Sequence, residues 1–97
     1  MLNIINKSPY AAPAFDSALK TAVGSILLIE DGVYAAARGG AAEARVKAAM
    51  GTLKFYALAQ DLEARGIADR VIDGITTVDY AGFVDLVTEH KTSQSWL

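Results

Sequence analysis

Four consecutive apolar residues, Ile26-Leu27-Leu28-Ile29, stand between Gly24-Ser25 and an acidic turn, Glu30-Asp31-Gly32. A run this short and this uniformly apolar reads as a strand covered on both faces, as in parallel sheets with helices packed above and below. Glu30 and Asp31 come where the strand surfaces, and Gly32 lets the chain turn sharply. Val33 and Tyr34, followed by three alanines, begin a helix. The unit is therefore strand, turn, helix. Ligands and active groups collect at the carboxyl ends of strands in open α/β sheets. Glu30-Asp31-Gly32 is accordingly the expected functional edge of the molecule.

The remaining segments repeat this alternation. Leu2 to Ile5 reads as a first strand, and Asn6-Lys7-Ser8-Pro9-Tyr10 as a loop. Pro13 suits the first turn of a helix, where its missing N–H costs nothing. Phe15, Ala18, Leu19 and Ala22 recur at i, i+3, i+4 and i+7, one helical face, and Gly24 stops that helix. Val33 to Arg38 is a short helical turn halted by Gly39-Gly40. Ala41 to Met50 is the next helix, with Ala42, Val46, Ala49 and Met50 inward and a Glu43–Lys47 pair outside. Leu53 to Leu58 is the third strand. Asp61 to Arg65 is a short helix ended by Gly66. Val71-Ile72 is a brief strand or part of a loop, and Ile75 to Val78 is another strand. Asp79 is a good N-cap for a last helix, Tyr80 to His90, whose Tyr80, Phe83, Val84 and Val87 supply an apolar face. Lys91 to Leu97 is a polar tail ending in Trp96 and Leu97. The pattern predicts a single small α/β domain: a mainly parallel β-sheet of about five strands with helices on both faces.

Composition narrows the classes of function. The 97 residues suit one compact domain. Yet 53% are hydrophobic, a large share for a domain with so little interior. Alanine accounts for part of that count. The excess also predicts apolar surface covered by another chain. The formal net charge is −2, and the nine basic residues form no cluster. The positive stripe needed for sequence-independent nucleic-acid binding is absent. There is no cysteine, which removes disulfides, thiolate metal sites and any thiol nucleophile. Met1 to Ile5 is too short for a signal peptide and lacks a basic start, and no apolar run approaches a membrane span, so a cytoplasmic chain is expected.

Candidate chemistry is sparse. No G-x-G-x-x-G or G-x-x-x-x-G-K-S/T phosphate motif is present, and Gly39-Gly40 reads as a turn. The sequence offers no catalytic set, no metal ligands and no cofactor site. Glu30 and Asp31 would point to opposite faces of an extended strand, which weakens a paired acid–base reading and favours helix capping by Asp31. His90 at a helix end interacts with the helix dipole. Ser8 has no base nearby in sequence and reads as a turn residue. Trp96 docks either on its own domain or on another subunit, since tryptophan is enriched among residues that carry interface energy. The candidate partner interface is Glu30, Asp31, Gly32, Tyr34 and Trp96.

Six segments, in order and at the right spacing, resemble the TusB/DsrH family. They are Asn6-Lys7-Ser8-Pro9-Tyr10, Leu28 to Ala36, Tyr56-Ala57-Leu58, Asp61 to Gly66, Asp79 to Leu86 and Gln94 to Leu97. The resemblance implies the DsrE/DsrF-like fold. It implies a small subunit of a cytoplasmic sulfur-relay heterohexamer, two copies each of three related chains. The implied partners are TusC/DsrF-like and TusD/DsrE-like subunits, the latter carrying the main sulfur-bearing cysteine, with a TusE/DsrC-like carrier downstream. The Tus branch serves tRNA wobble-uridine 2-thiolation, and the Dsr branch dissimilatory sulfur oxidation. DsrH-type members carry a cysteine in the first helix. The matching position here is Ala18, so this chain cannot hold a persulfide.

Two other readings stand beside this one. One is a stand-alone module binding a small anion or nucleotide at the strand-end crevice. The other is a homo-oligomeric structural protein, and self-association of the isolated chain is compatible with the subunit reading as well.

Overall fold

A computed structural model describes residues 1–11 and 13–96. Leu97, which the expected tail includes, lies outside the described residues. Five strands form one sheet: β1 (Leu2–Ile5), β2 (Ser25–Leu28), β3 (Lys54–Leu58), β4 (Thr76–Val78) and β5 (Ser93–Trp96). Their order is β4-β3-β2-β1-β5, and every neighbouring pair is parallel. The helices are α1 (Ala14–Thr21), α2 (Glu43–Ala49), α3 (Ala59–Ala64) and α4 (Tyr80–Glu89). A 3-10 helix, Glu30–Ala36, follows β2. The expected parallel α/β architecture is present.

The centre of the sheet is β2, buried along its whole length. Alternation of side chains sends Ile26 and Leu28 to one face and Leu27 to the other. On the first face they join Ile5, Phe15 and Ala18 of α1, Val33 of the 3-10 helix, Val46 of α2 and Leu62 of α3 in the larger core. Among the described residues, α4 is the one helix that contributes to the second face. There Leu86 packs on Leu2 and Leu27, with Ile4, Ile29, Tyr56, Val78 and Phe83 only partly buried around them.

Two expectations are corrected at the C-terminal end. The segment after α4 is not a tail: Ser93 to Trp96 forms β5, paired to β1 from Leu2↔Ser93 to Ile5↔Trp96. Backbone pairing holds it, and three of its four residues are exposed. Trp96 packs on the larger core of its own chain, and its Nε1–H donates to Asn3 Oδ1 at 3.3 Å. The buried Asn3 amide in turn donates to the Val23 and Ser25 carbonyls at 3.2 and 3.0 Å. The second correction concerns α4. Leu86 and Phe83 turn inward, whereas Tyr80 and Val84 are 59% and 60% exposed and Val87 40%. Asp79 caps α4 as expected, accepting from the Gly82 N–H at 2.8 Å.

Helix α2 carries the expected Glu43–Lys47 ion pair at 2.9 Å. Glu43 also accepts the Gly39 N–H at 2.7 Å, which secures the turn before the helix. The Gly39 N–H, and after it the Lys47 ammonium, hold the Glu43 carboxyl below its ordinary range, while Glu43 holds Lys47 above its own. A depressed carboxylate contributes stability above its unfolded pKa and loses it as pH falls through the folded value. Lys47 has the opposite sign: its share is lost as pH rises through its raised value. The Gly39 amide resonance should therefore titrate in acid with a midpoint below the ordinary glutamate range. A midpoint at or above that range would contradict the contact.

Candidate functional site

The carboxyl ends of β1, β2 and β3 bring the sequence-selected residues to one edge. Glu30 follows β2 with φ of 49°, the left-handed region that a non-glycine residue enters at a cost of about 1–2 kcal/mol. The expectation placed the sharp turn at Gly32, but the positive φ falls on Glu30. An Asp61 carboxylate holds that conformation: Oδ2 accepts the Glu30 N–H at 2.7 Å. Gly32 serves a different purpose. A Cβ there would run into the Ile5 carbonyl oxygen, 3.0 Å from its carbon and 3.5 Å from the Asn6 Cα. Glycine is what lets the 3-10 helix cross this closely over the end of β1.

Asp31 does not cap a helix. The residue at the N-cap position is Ile29, with no side-chain bond. Asp31 Oδ1 instead accepts from Arg65, Nη2 at 2.9 Å and Nε at 3.1 Å. The same guanidinium donates to the Asp61 carbonyl at 3.3 Å, lies 3.8 Å from Asp61 Oδ1, and sits over the Tyr34 ring at 5.9 Å. Glu30, Asp31, Gly32 and Tyr34 thus gather around Arg65 and Asp61. Trp96 ends β5, on the far side of β1 from β2, and is half-buried against its own chain.

Neither Asp61 nor Arg65 stands out in the sequence. Their i, i+4 spacing on a helix that directly follows β3 is the signal that places them at the same edge. Two further groups belong to this neighbourhood. Asn6 Oδ1, just past β1, and Gln60 Oε1, in the first turn of α3, are buried without a hydrogen-bond partner. In strand order they flank Glu30 on either side. The edge thus presents the exposed Glu30 carboxylate and an Asp31 side chain 61% exposed, while the two unpaired amide oxygens are buried out of reach of the surface.

The other singled-out residues have local duties. Ser8 turns the chain, its Oγ accepting the Tyr10 N–H at 3.1 Å. His90 Nδ1 donates to the Leu86 carbonyl at 2.7 Å, and Nε2 lies 3.3 Å from Ser25 Oγ, tying the end of α4 to β2. Ala18, fully buried, packs into the larger core from α1. Among the described residues no cluster of His, Asp or Glu is arranged to hold a metal ion, and no helix is long and apolar enough to cross a membrane.

These features define a small parallel α/β domain with a buttressed acidic strand edge and one thinly covered sheet face. Residues 7–93 match the family model described as DsrH like protein, and the chain belongs to that family. Its curated relatives include Protein TusB of Pectobacterium parmentieri, 35% identical, and Protein TusB of Photorhabdus laumondii, 36% identical. Each alignment covers 99% of this chain and 100% of the relative. Among solved structures, the YchN protein of Escherichia coli superposes with a TM-score of 0.78 at 15% identity, covering 97% of each chain. MTH1491 of Methanobacterium thermoautotrophicum, titled a protein of unknown function, gives 0.74 at 17% identity, over 97% of this chain and 95% of its own. These two likenesses bear on the fold alone, which is the expected DsrE/DsrF-like one.

Proposed function

We propose that this chain is a non-catalytic subunit of a cytoplasmic sulfur-relay assembly, serving 2-thiolation of the wobble uridine in tRNA. The observation that carries the reading is similarity to chains named TusB, at 34–36% identity over 99% of this chain and 100% of each relative. The chemistry of the chain agrees with an accessory role. It has no cysteine, so no side chain here can carry a persulfide between donor and acceptor. At Ala18, where DsrH-type members have a cysteine, the methyl group is sealed in the core.

The relay itself then belongs to neighbours. A TusD/DsrE-like chain supplies the sulfur-bearing cysteine, a TusC/DsrF-like chain completes the heterohexamer, and a TusE/DsrC-like carrier accepts the sulfur. The acidic strand edge at Glu30 and Asp31 suits a partner segment bearing cationic donors.

Deletion of the gene in its own organism tests the assignment. Total tRNA should lose 2-thiouridine at the wobble position, and expression of the intact chain should restore it. Full 2-thiouridine together with impaired sulfur oxidation would reject the tRNA branch in favour of the DsrH-type pathway, to which the family model's description also points.

A further inference from the structure

We propose that the outer edge of β5 pairs antiparallel with the same edge of a second copy of this chain, about a two-fold axis at Gln94. The inference goes beyond the relay-subunit reading and does not rest on it. Strand β5 ends the sheet order, next to β1, and among the described residues no strand lies beyond it. The Leu2 N–H donates to the Thr92 carbonyl at 3.0 Å, which fixes the phase of the ladder. Along each strand of a parallel pair, alternate residues turn their backbone groups toward the neighbour. Thr92, Gln94 and Trp96 therefore face β1, and the N–H and C=O groups of Ser93 and Ser95 point outward.

This edge is complementary to itself. Residues directly opposite in an antiparallel pair exchange both N–H···O bonds or neither, in alternation. With Gln94 of each copy opposite its counterpart, Ser93 meets Ser95 of the other copy, and Ser95 meets Ser93. Those two pairs exchange four bonds and satisfy every outward group of both strands. The side chains brought together are serine with serine and glutamine with glutamine, uncharged groups that hydrogen-bond to their own kind. Strand β5 has none of the lysine or proline that blunts an edge. Lys91 just precedes it, but the two copies' Lys91 fall at opposite ends of the ribbon, about 20 Å apart along the strands and beyond mutual reach at physiological salt. The other edge of the sheet, β4, has one residue fewer and is followed directly by Asp79, both of which blunt it.

Four residues of strand span about 13 Å. A stable dimer buries about 800 Å² per partner, more than this edge supplies alone. Pairing of the isolated chain should therefore be weak, with a Kd of about 1 mM. Sedimentation equilibrium and amide NMR of the full chain, followed from dilute to millimolar solution, measure it. The Ser93 and Ser95 amide resonances should move with concentration. Ser95→Pro removes an outward N–H and none of the bonds to β1, and should weaken pairing about tenfold, for two hydrogen bonds lost per dimer. Ser95→Thr keeps the N–H and should pair like the unmodified chain. Gln94 is exposed, and Gln94→Lys or Gln94→Glu sets like charges opposite each other at the axis. Each variant alone should pair about tenfold more weakly at low salt, and an equimolar mixture of the two should recover the loss. If Ser95→Pro disturbs folding, this charge pair carries the test.

A chain that stays monomeric at millimolar concentration, with fixed Ser93 and Ser95 resonances, would overturn the proposal. So would a dimer that a well-folded Ser95→Pro variant still forms, or a mixture of the Gln94 variants that pairs no better than either alone. Ser93 and Ser95 resonances that move only when a different chain is added would give the edge to that chain, and overturn self-pairing as well.

Discussion

Gly32→Ala should destabilise the folded chain by about 3 kcal/mol, the upper part of the range for forcing extra atoms into a packed site. The obstacle is backbone, not a side chain that can rotate away: a Cβ at this position meets the carbonyl of Ile5 and the Cα of Asn6. The strand end and the 3-10 helix would have to separate. That would disturb the Gly32 N–H bond to the Ile29 carbonyl, 2.8 Å, and the Ile29 N–H bond to Ile5, 3.0 Å. For a domain of this size the Tm should fall by about 15 °C, at about 4–8 °C per kcal/mol. Thermal unfolding followed by circular dichroism measures it. A variant as stable as the parent would mean that the 3-10 helix does not pass this closely over β1.

The second large effect separates two neighbours on α4. Leu86→Ala should cost about 2–4 kcal/mol, because Leu86 is the buried contact between α4 and the Leu2–Leu27 floor. Val84→Ala should change stability by no more than about 0.5 kcal/mol in the isolated chain, since the side chain is exposed. Urea denaturation of both variants reads the difference directly. The reverse order would rotate the helix and bury Tyr80, Val84 and Val87 in place of Leu86.

That pair also shows where the sequence is legible. Tyr80, Phe83, Val84 and Val87 satisfy the helical period, but the period reports an apolar face without saying what covers it. Among the described residues the inward positions are Phe83 and Leu86, and Tyr80, Val84 and Val87 stay exposed. Strands β1, β2 and β3 were readable because each buries apolar side chains on the sheet. Strand β5 was not. Ser93-Gln94-Ser95 carries no apolar alternation, and it becomes a strand through backbone pairing along an open edge of β1.

The site divides in the same way. The acidic turn after β2 is legible from its place at the end of an apolar run. Its internal bonding is not, because Asp31 reaches Arg65 across 34 positions and Glu30 is held by Asp61 across 31. Local propensity favours Asp31 as a helix cap, but the guanidinium of a distant helix offers two donors and takes the carboxylate. Gly32 likewise looks like a turn residue, whereas its missing side chain serves a close passage over β1 and the strained dihedral falls on Glu30.

The central claim is that this cysteine-free chain works as a subunit beside cysteine-bearing partners. Native mass spectrometry of the tagged chain, purified gently from its source cells, tests it most directly. The account predicts a particle holding two copies of this chain and two each of a TusC-type and a TusD-type chain. A monomer or a homo-oligomer as the sole species from those cells would contradict it.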